Sequence, residues 1–142
     1  MLRIEENGLN AEIYTELRAH AGMQPYKRED AEIALGGTLF SVVVWDDDKP
    51  VGIARVIGDG RVAFFIKDVS VHPDFQGKGI GKLIMEKIMA YVQRAGAANA
   101  YVGLMSTPGK EGFYEQFGFH VRPCGHEGSG MTCYINSENT QP

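Results

Sequence analysis

One stretch in the middle of the chain constrains the fold more than any other. An apolar segment at 69–71 runs through a proline-marked turn to three alternating glycines between 77 and 81. A helical pattern follows at once, with apolar residues on one face and charged residues on the other, and it ends near Gly96. Since another apolar run follows at 100–105, the stretch predicts a strand, helix, strand unit whose two strands lie parallel.

The residues before this unit predict two helices followed by an antiparallel meander. Helical spacing of apolar residues predicts a helix over 11–22, and a second, shorter helix is expected over about 28–35. Three apolar runs separated by polar or glycine-rich turns predict the strands of the meander, at 38–45, 51–57 and 61–71.

The C-terminal part is predicted to add a short helix at about 110–117 and two last strands at 119–122 and 131–135. No internal repeat and no long linker divides the sequence, so a single domain over residues 1–142 is expected. The order of elements predicts a mixed α/β (α+β) fold. Its central sheet would be twisted and mostly antiparallel, with one parallel βαβ unit and with helices on both faces.

The composition is typical of a globular protein and argues against several functional classes. A formal net charge of -4 does not suit a nucleic-acid-binding surface, which needs clustered basic residues. Neither a signal pattern nor a run of about 20 apolar residues is found, so a cytoplasmic protein without nucleic-acid or membrane partners is expected. Cys124 and Cys133 lack the companions of a zinc site, so free thiols and no metal are expected.

The glycine turn indicates an anion-binding site. Glycines let the backbone approach a ligand closely, and the first amides of a helix have no internal acceptors, so such a turn can hold a phosphate or pyrophosphate. Lys78 and Lys82 would add positive charge at its rim. A tight turn without a ligand is the alternative. The spacing fits neither a P-loop, which needs Gly-Lys followed by Ser or Thr, nor a Gly-x-Gly-x-x-Gly dinucleotide fingerprint.

Two motifs occur together, one in the glycine turn and one farther along the chain. Gln76, Gly79 and Gly81 match the first motif, which is Gln or Arg, then any two residues, Gly, any one residue, and Gly or Ala. A tyrosine four residues before a Gly-Phe pair is matched by Tyr114 and the pair at 118–119. In this order, and with the meander before them, they resemble the GNAT superfamily of acyl-CoA-dependent N-acyltransferases. The resemblance implies a GNAT-like fold and acetyl transfer from acetyl-CoA to an amine.

The resemblance also implies which residues bind acetyl-CoA. Amides of the glycine turn and the first helical turn would hold the pyrophosphate, and the strand before them would pair with the pantetheine arm. The residues so implied are Val69, Val71, Gln76, Gly77, Lys78, Gly79, Ile80, Gly81 and Lys82. Many family members carry an Asn seven residues before the tyrosine. Here that position is Thr107, whose hydroxyl could take its place.

Two residues are candidate catalytic groups. Tyr114 is predicted by the resemblance to protonate the leaving thiolate, and a core tyrosine packed among phenylalanines is the alternative. Asp68, a carboxylate in an apolar strand, is predicted to be the base or the anchor of the amine. A cross-strand ion pair with Arg55 or Lys67 explains it nearly as well. Direct transfer in a ternary complex is expected, with the oxyanion facing an amide of strand 69–71.

Several other residues are candidates for the acceptor side. His72 could relay a proton, although a solvated turn residue is the simpler interpretation. Met23, Pro25 and Tyr26 could line the acceptor pocket, with ordinary loop packing as the alternative. The C-terminal candidates are His120, His126 and Glu127.

The expected function is therefore acetylation of a primary amine, with a small molecule as the favoured acceptor. One alternative is acetylation of a protein lysine or N-terminus. Another is a non-catalytic CoA-binding regulatory module, against which the presence of Tyr114 counts. A homodimer is implied by the resemblance alone.

Overall fold

The computed structural model describes residues 1–135 of the chain. The chain divides into two compact units, Met1–Leu104 and Met105–Pro142. That one N-acetyltransferase domain spans all 142 residues stays a prediction. Within the described residues, no helix combines the length and the apolar character needed to cross a membrane.

The first unit consists of a five-stranded sheet and three helices. In chain order these are β1 (Leu2–Glu6), α1 (Ala11–His20), α2 (Arg28–Leu35), β2 (Phe40–Asp46), β3 (Lys49–Gly58), β4 (Ala63–Val71), α3 (Ile80–Ala95) and β5 (Tyr101–Leu104). The strands lie in the order β1-β2-β3-β4-β5. Every neighbouring pair is antiparallel except β4 and β5, which are parallel and joined through α3. The predicted fold class is thereby confirmed.

The sheet carries helices on opposite faces. Ile53 packs with Ile13 and Leu17 of α1 and with Val43, in a buried cluster. The preceding residue, Gly52, points the other way, because a Cβ atom on it would lie 2.9 Å from side-chain carbons of α3. Successive strand residues alternate between faces. Hence α1 covers one face of the sheet and α3 covers the other.

The ends of the helices follow from local sequence chemistry. Asn10 caps α1, since its side-chain oxygen accepts a hydrogen bond of 2.9 Å from the amide of Ile13. Gly22 follows the helix with φ 72, a left-handed conformation that glycine adopts without strain. The observed range of α2, Arg28–Leu35, is the predicted one. For α3 the charged and apolar faces of the pattern are those found, with Ile84 and Ile88 fully buried.

A bulge in β4 changes which face of the sheet its residues occupy. Arg55 pairs with Lys67, and Ile53 pairs with Ser70, so two steps along β3 correspond to three along β4. The bulge contains Asp68, which has φ 63. Without the extra residue, alternation from Phe64 would point Asp68 toward α3. With it, the carboxylate faces α1.

The second unit contains one short helix, α4 (Glu111–Glu115), within its described residues. The predicted strands at 119–122 and 131–135 are wrong: the described part of this unit shows only an isolated bridge between Cys124 and Glu127. A strand needs a partner for its backbone groups, and Pro123, directly after the first predicted strand, has no N–H to offer. Apolar content alone does not supply that partner.

Candidate active site

The glycine turn forms an open backbone cradle at the start of α3. Gly77 and Gly79 have φ 78 and φ 81, and an added Cβ at either would meet no atom within 4 Å. Both conformations are accessible to glycine and strained for other residues. The open space above them leaves room for a ligand to reach the backbone.

The amides of this cradle have no acceptors of their own. Among residues 1–135, no backbone N–H from 77 to 82 donates to a protein acceptor, and no side chain caps α3. Six N–H groups beside the positive end of a 16-residue helix make a favourable place for an anion. Lys78 and Lys82 are exposed beside them, as predicted, whereas the side chain of Ile80 is only 1% exposed and leaves just its amide for a ligand.

The edge of β4 next to the cradle is unpaired within the first unit. β5 pairs only with Ala63–Ile66, so the rest of β4, which includes Val69 and Val71, has β3 on one side and no strand of this unit on the other. The carbonyl of Val71 already has a partner, because it accepts a hydrogen bond of 3.2 Å from Nε2 of Gln76. Unpaired backbone groups thus occur first at the end of β4 and then, further along the chain, in the cradle.

Asp68 is held by two guanidinium groups. Nε of Arg55 donates a hydrogen bond of 2.8 Å to one carboxylate oxygen, and Nη1 of Arg18 contacts the other. The carboxylate is 1% exposed and each arginine side chain 9%. Of the two interpretations left open for Asp68, this geometry favours the ion pair with Arg55. A role of Asp68 as the base stays a prediction. Each of its carboxylate oxygens already contacts an arginine.

Arg18 joins this ion cluster to a pocket. Its guanidinium carbon contacts two tyrosine rings, 5.2 Å from the Tyr14 centroid and 4.9 Å from that of Tyr26. The pocket has a volume of about 270 Å³, and Met23 and Pro25 also line it. Three candidates for the acceptor pocket are therefore brought together. Burial, together with the Asp68 carboxylate, raises the pKa of Tyr14.

Tyr114 and Thr107 lie in the second unit. Tyr114 is half-buried in α4, with its ring 5.1 Å from Phe113 and 6.4 Å from Phe119. Burial raises the pKa of its phenol, so the group is protonated at neutral pH and can act as a proton donor. Thr107 is exposed, and its carbonyl accepts from the amide of Lys110 at 3.0 Å. Both assignments stay predictions.

The histidine candidates differ in their surroundings. His72 is 6% exposed rather than solvated. Its ring is tilted against that of His20, with centroids 4.3 Å apart, and its Nδ1 accepts a hydrogen bond from the Asp74 amide. In the second unit, His120 contacts Glu127, and this hydrogen bond lowers the pKa of the Glu127 carboxyl. His126 is exposed. Among the described residues, no group of three or more His, Cys, Asp or Glu side chains could hold a metal ion.

Residues 37–121, which contain the cradle and Tyr114, match the family model of the acetyltransferase (GNAT) domain. They make up more than half of the chain. The chain belongs to the GNAT acetyltransferase family. As a GNAT protein it is a transferase, and the family in general uses acetyl-CoA.

Relatives of this GNAT chain include two chloroplastic plant proteins. It is 35% identical over 130 residues to GCN5-related N-acetyltransferase 1 of Arabidopsis thaliana, covering 90% of this chain and 65% of that protein. It is 33% identical over 147 residues to serotonin N-acetyltransferase 2 of Oryza sativa subsp. japonica, covering 99% of this chain and 70% of that protein. A solved structure, a protein of unknown function from meticillin-resistant Staphylococcus aureus, matches with TM-score 0.87 and 36% identity over 95% of this chain and 100% of that one.

Sequence reasoning missed Arg18, which joins Asp68 to the pocket. In the sequence Arg18 directly follows Leu17, and its partner Asp68 lies 50 positions away. One signal was available, because Tyr14 precedes Arg18 by one helical turn and such pairs interact. That signal indicates a stacked arginine, but it does not identify the carboxylate to which the arginine binds.

Proposed function

We propose that this chain transfers the acetyl group of acetyl-CoA to the primary amine of a small molecule, by direct attack within a ternary complex. The observation that carries the proposal is the cradle, where six consecutive amides without an acceptor among residues 1–135 adjoin a strand edge that is unpaired within the first unit. When bound, acetyl-CoA supplies an activated thioester carbonyl. All other contributions come from the chain.

The residues present fit such a cosubstrate. The amides at 77–82 can donate to the pyrophosphate, and the absence of a Cβ at Gly77 and Gly79 lets the phosphates reach them. The unpaired edge of β4 at Val69 and Val71 offers strand-like hydrogen bonds to the amides of the pantetheine arm. An amide on this edge can also stabilise the carbonyl oxygen as negative charge develops on it.

Direct attack is supported by where the thiols lie. The first unit, which holds the cradle, contains no cysteine, and the two cysteines of the chain are at 124 and 133. A covalent acyl-cysteine therefore has no candidate within the first unit. Tyr114, kept protonated by burial, is the proposed donor of the proton that the leaving thiolate accepts.

A small acceptor is supported by the size of the pocket beside Arg18. A volume of about 270 Å³ lies just below the usual range of ligand sites, roughly 300–1,000 Å³, and fits a compact molecule. The rice relative is named as a serotonin N-acetyltransferase, which is also a small-molecule activity. Acetylation of a protein lysine or N-terminus would require the pocket to admit one side chain or terminus. The cytoplasmic location and the homodimer stay predictions.

The test is a thiol-release assay with acetyl-CoA against a panel of small primary amines and of peptides. We expect turnover with at least one small amine and little with the peptides. The Tyr114→Phe variant should slow the single-turnover rate by roughly 10²–10⁴-fold, while acetyl-CoA binding barely changes. Turnover with peptides alone would contradict the small-molecule acceptor. No turnover despite acetyl-CoA binding would leave the regulatory alternative, and an undiminished Tyr114→Phe rate would exclude the tyrosine as the acid.

A further inference from the structure

The buried ion cluster beside the pocket is not electrically neutral. It contains the guanidinium groups of Arg18 and Arg55 and the single carboxylate of Asp68. Tyr14, the remaining titratable neighbour that touches both arginines, is kept neutral because its pKa is raised. Two positive charges against one negative leave an excess positive charge in a place that solvent screens poorly.

Arg18 still has hydrogen-bond donors to offer. Its Nη1 contacts Asp68 and lies 3.5 Å from the sulfur of Met23, and its Nη2 donates 2.7 Å to the carbonyl of Gln24. A guanidinium carries five N–H groups. Within residues 1–135 the Nε–H and the second N–H of Nη2 have no protein acceptor. No fully buried side-chain nitrogen or oxygen lacks a partner there, so Nε of Arg18 must reach accessible space.

The pocket is accessible space that Arg18 lines. Arg18 is the one charged residue among those that line it, and the other walls are mainly aromatic and apolar. The guanidinium carbon lies 5.2 Å and 4.9 Å from the ring centroids of Tyr14 and Tyr26, and its Nε–H and one N–H of Nη2 are the donors left for a ligand. A cationic edge with free donors in an otherwise apolar pocket selects for a negatively charged oxygen group.

We propose that the acceptor is a primary amine that also carries an anionic oxygen group, a carboxylate or a phosphate, and that Arg18 binds this group in the pocket. The proposal rests on the proposed function for its amine. Asp68, which orients Arg18, is the residue directly before Val69 in β4, so the anion would be bound close to the strand that the cradle continues. A polyamine is disfavoured, because its second ammonium group would meet the guanidinium.

The experiment uses matched pairs of amines that differ by the anionic group. Tyrosine against tyramine and tryptophan against tryptamine test a carboxylate, and phosphoethanolamine against ethanolamine tests a phosphate. In at least one pair, kcat/KM of the anionic member should exceed that of its partner by roughly 10–100-fold, the value of a charge-assisted hydrogen bond. The pair that shows the preference identifies the anion. Equal or better turnover of the neutral member in all pairs overturns the proposal.

Variants separate recognition from a structural role. Arg18→Met should remove the preference through KM of the anionic member, and Arg18→Lys, which keeps the charge, should retain part of it. Arg28→Met is the matched control, since Arg28 forms an exposed ion pair with Glu32 on α2 and should leave the preference intact. If Arg18→Met lowers both members of a pair alike, Arg18 is structural and the proposal fails. If Arg18→Met does not fold, Arg18→Lys and the wild-type pairs decide.

Binding of products keeps this proposal distinct from the proposed function. Thermal shifts with N-acetyltyrosine and N-acetyltyramine, or the corresponding phosphate pair, report on the pocket without turnover. A larger shift from the anionic member together with no turnover would support the anion site and contradict acetyl transfer to these amines. Turnover of these amines without any preference for the anionic member would support acetyl transfer and contradict the anion site.

Discussion

The two faces of the sheet differ in what they bury. The face under α3 is apolar, with fully buried residues such as Ile84 and Ile88 and a stack of Phe40 on Tyr91 at 4.6 Å. The face under α1 begins with a similar apolar cluster but also encloses the ion cluster of Asp68 and two arginines. Buried ion pairs contribute little net stability compared with apolar packing. The comparison indicates that the α3 face stabilises the fold, while the α1 face gives up some stability to build a site.

The largest effect on stability is expected from removing the carboxylate of the buried ion cluster. Asp68→Asn leaves two buried guanidinium groups without their carboxylate and should lower the free energy of unfolding by about 3–5 kcal/mol. Urea denaturation measures the change. Glu32→Gln, which breaks an exposed ion pair on α2, is the control and should change stability by about 0–1 kcal/mol. If Asp68→Asn is as stable as the wild type and loses only kcat/KM, Asp68 is the base after all.

Substitutions on the apolar face should destabilise the protein without changing its selectivity between the paired amines. Ile84→Ala removes a fully buried side chain from α3 and should cost about 2–5 kcal/mol, whereas the milder Ile84→Val should cost about 0.5–1.5 kcal/mol. Measured at a temperature where the variants are folded, the ratio of kcat/KM within each matched pair of amines should equal that of the wild type. A changed ratio would mean that the two faces are coupled.

The cradle that precedes α3 is the proposed acetyl-CoA site, and it can be tested apart from the apolar face. Gly79→Val places a branched residue at φ 81, which should cost about 1–2 kcal/mol of stability, and should weaken acetyl-CoA binding severely because its side chain obstructs the cradle. Gly60→Val is a matched control, since Gly60 has the same φ of 81 but lies in the turn between β3 and β4. Calorimetry with acetyl-CoA decides: equal affinities of the two variants would place the cradle elsewhere.

The smallest effect concerns pH and the α1 face. Burial, together with the Asp68 carboxylate, raises the pKa of Tyr14 above the usual value of about 10, so the unfolded state loses this proton first. The associated stability is fully present below pH 10 and is lost as pH rises through the higher, folded pKa. Tyr14→Phe should therefore unfold with a shallower dependence on pH above 10. Tyr134→Phe, at an exposed position, is the control, and identical alkaline profiles of wild type and Tyr14→Phe would contradict the expectation.

Local patterns predicted most of the fold because most of it is determined locally. Caps, glycine breaks and periodicity placed α2 on its observed range and ended α3 at Gly96. β1 was missed because five residues at the sheet edge, with Leu2 and Ile4 between charged neighbours, give a weak signal. The two C-terminal strands were wrongly predicted because composition cannot show whether a partner strand exists.

The glycine turn was predicted at its observed place, because alternating glycines before an amphipathic helix are visible in the sequence; its use as a binding site stays a prediction. The ion cluster was predicted only in part, as a cross-strand pair of Asp68 with Arg55, without Arg18. The face occupied by Asp68 depends on the bulge, and alternation in the sequence does not reveal a positive φ at an aspartate. The contact with Arg18 is tertiary, so only a three-dimensional structure supplies it.

The spacing of the ion cluster along the chain has a consequence for the order of folding. Arg55 and Asp68 are 13 positions apart and meet when the β3–β4 hairpin forms, whereas Arg18 is 50 positions from Asp68. Closing the longer loop costs more chain entropy, so α1 is expected to dock after the hairpin. The pocket therefore comes into being at a late step. Brief undocking of α1 would abolish it while the hairpin and the cradle persist, so acetyl-CoA could stay bound to a molecule that for the moment has no acceptor site.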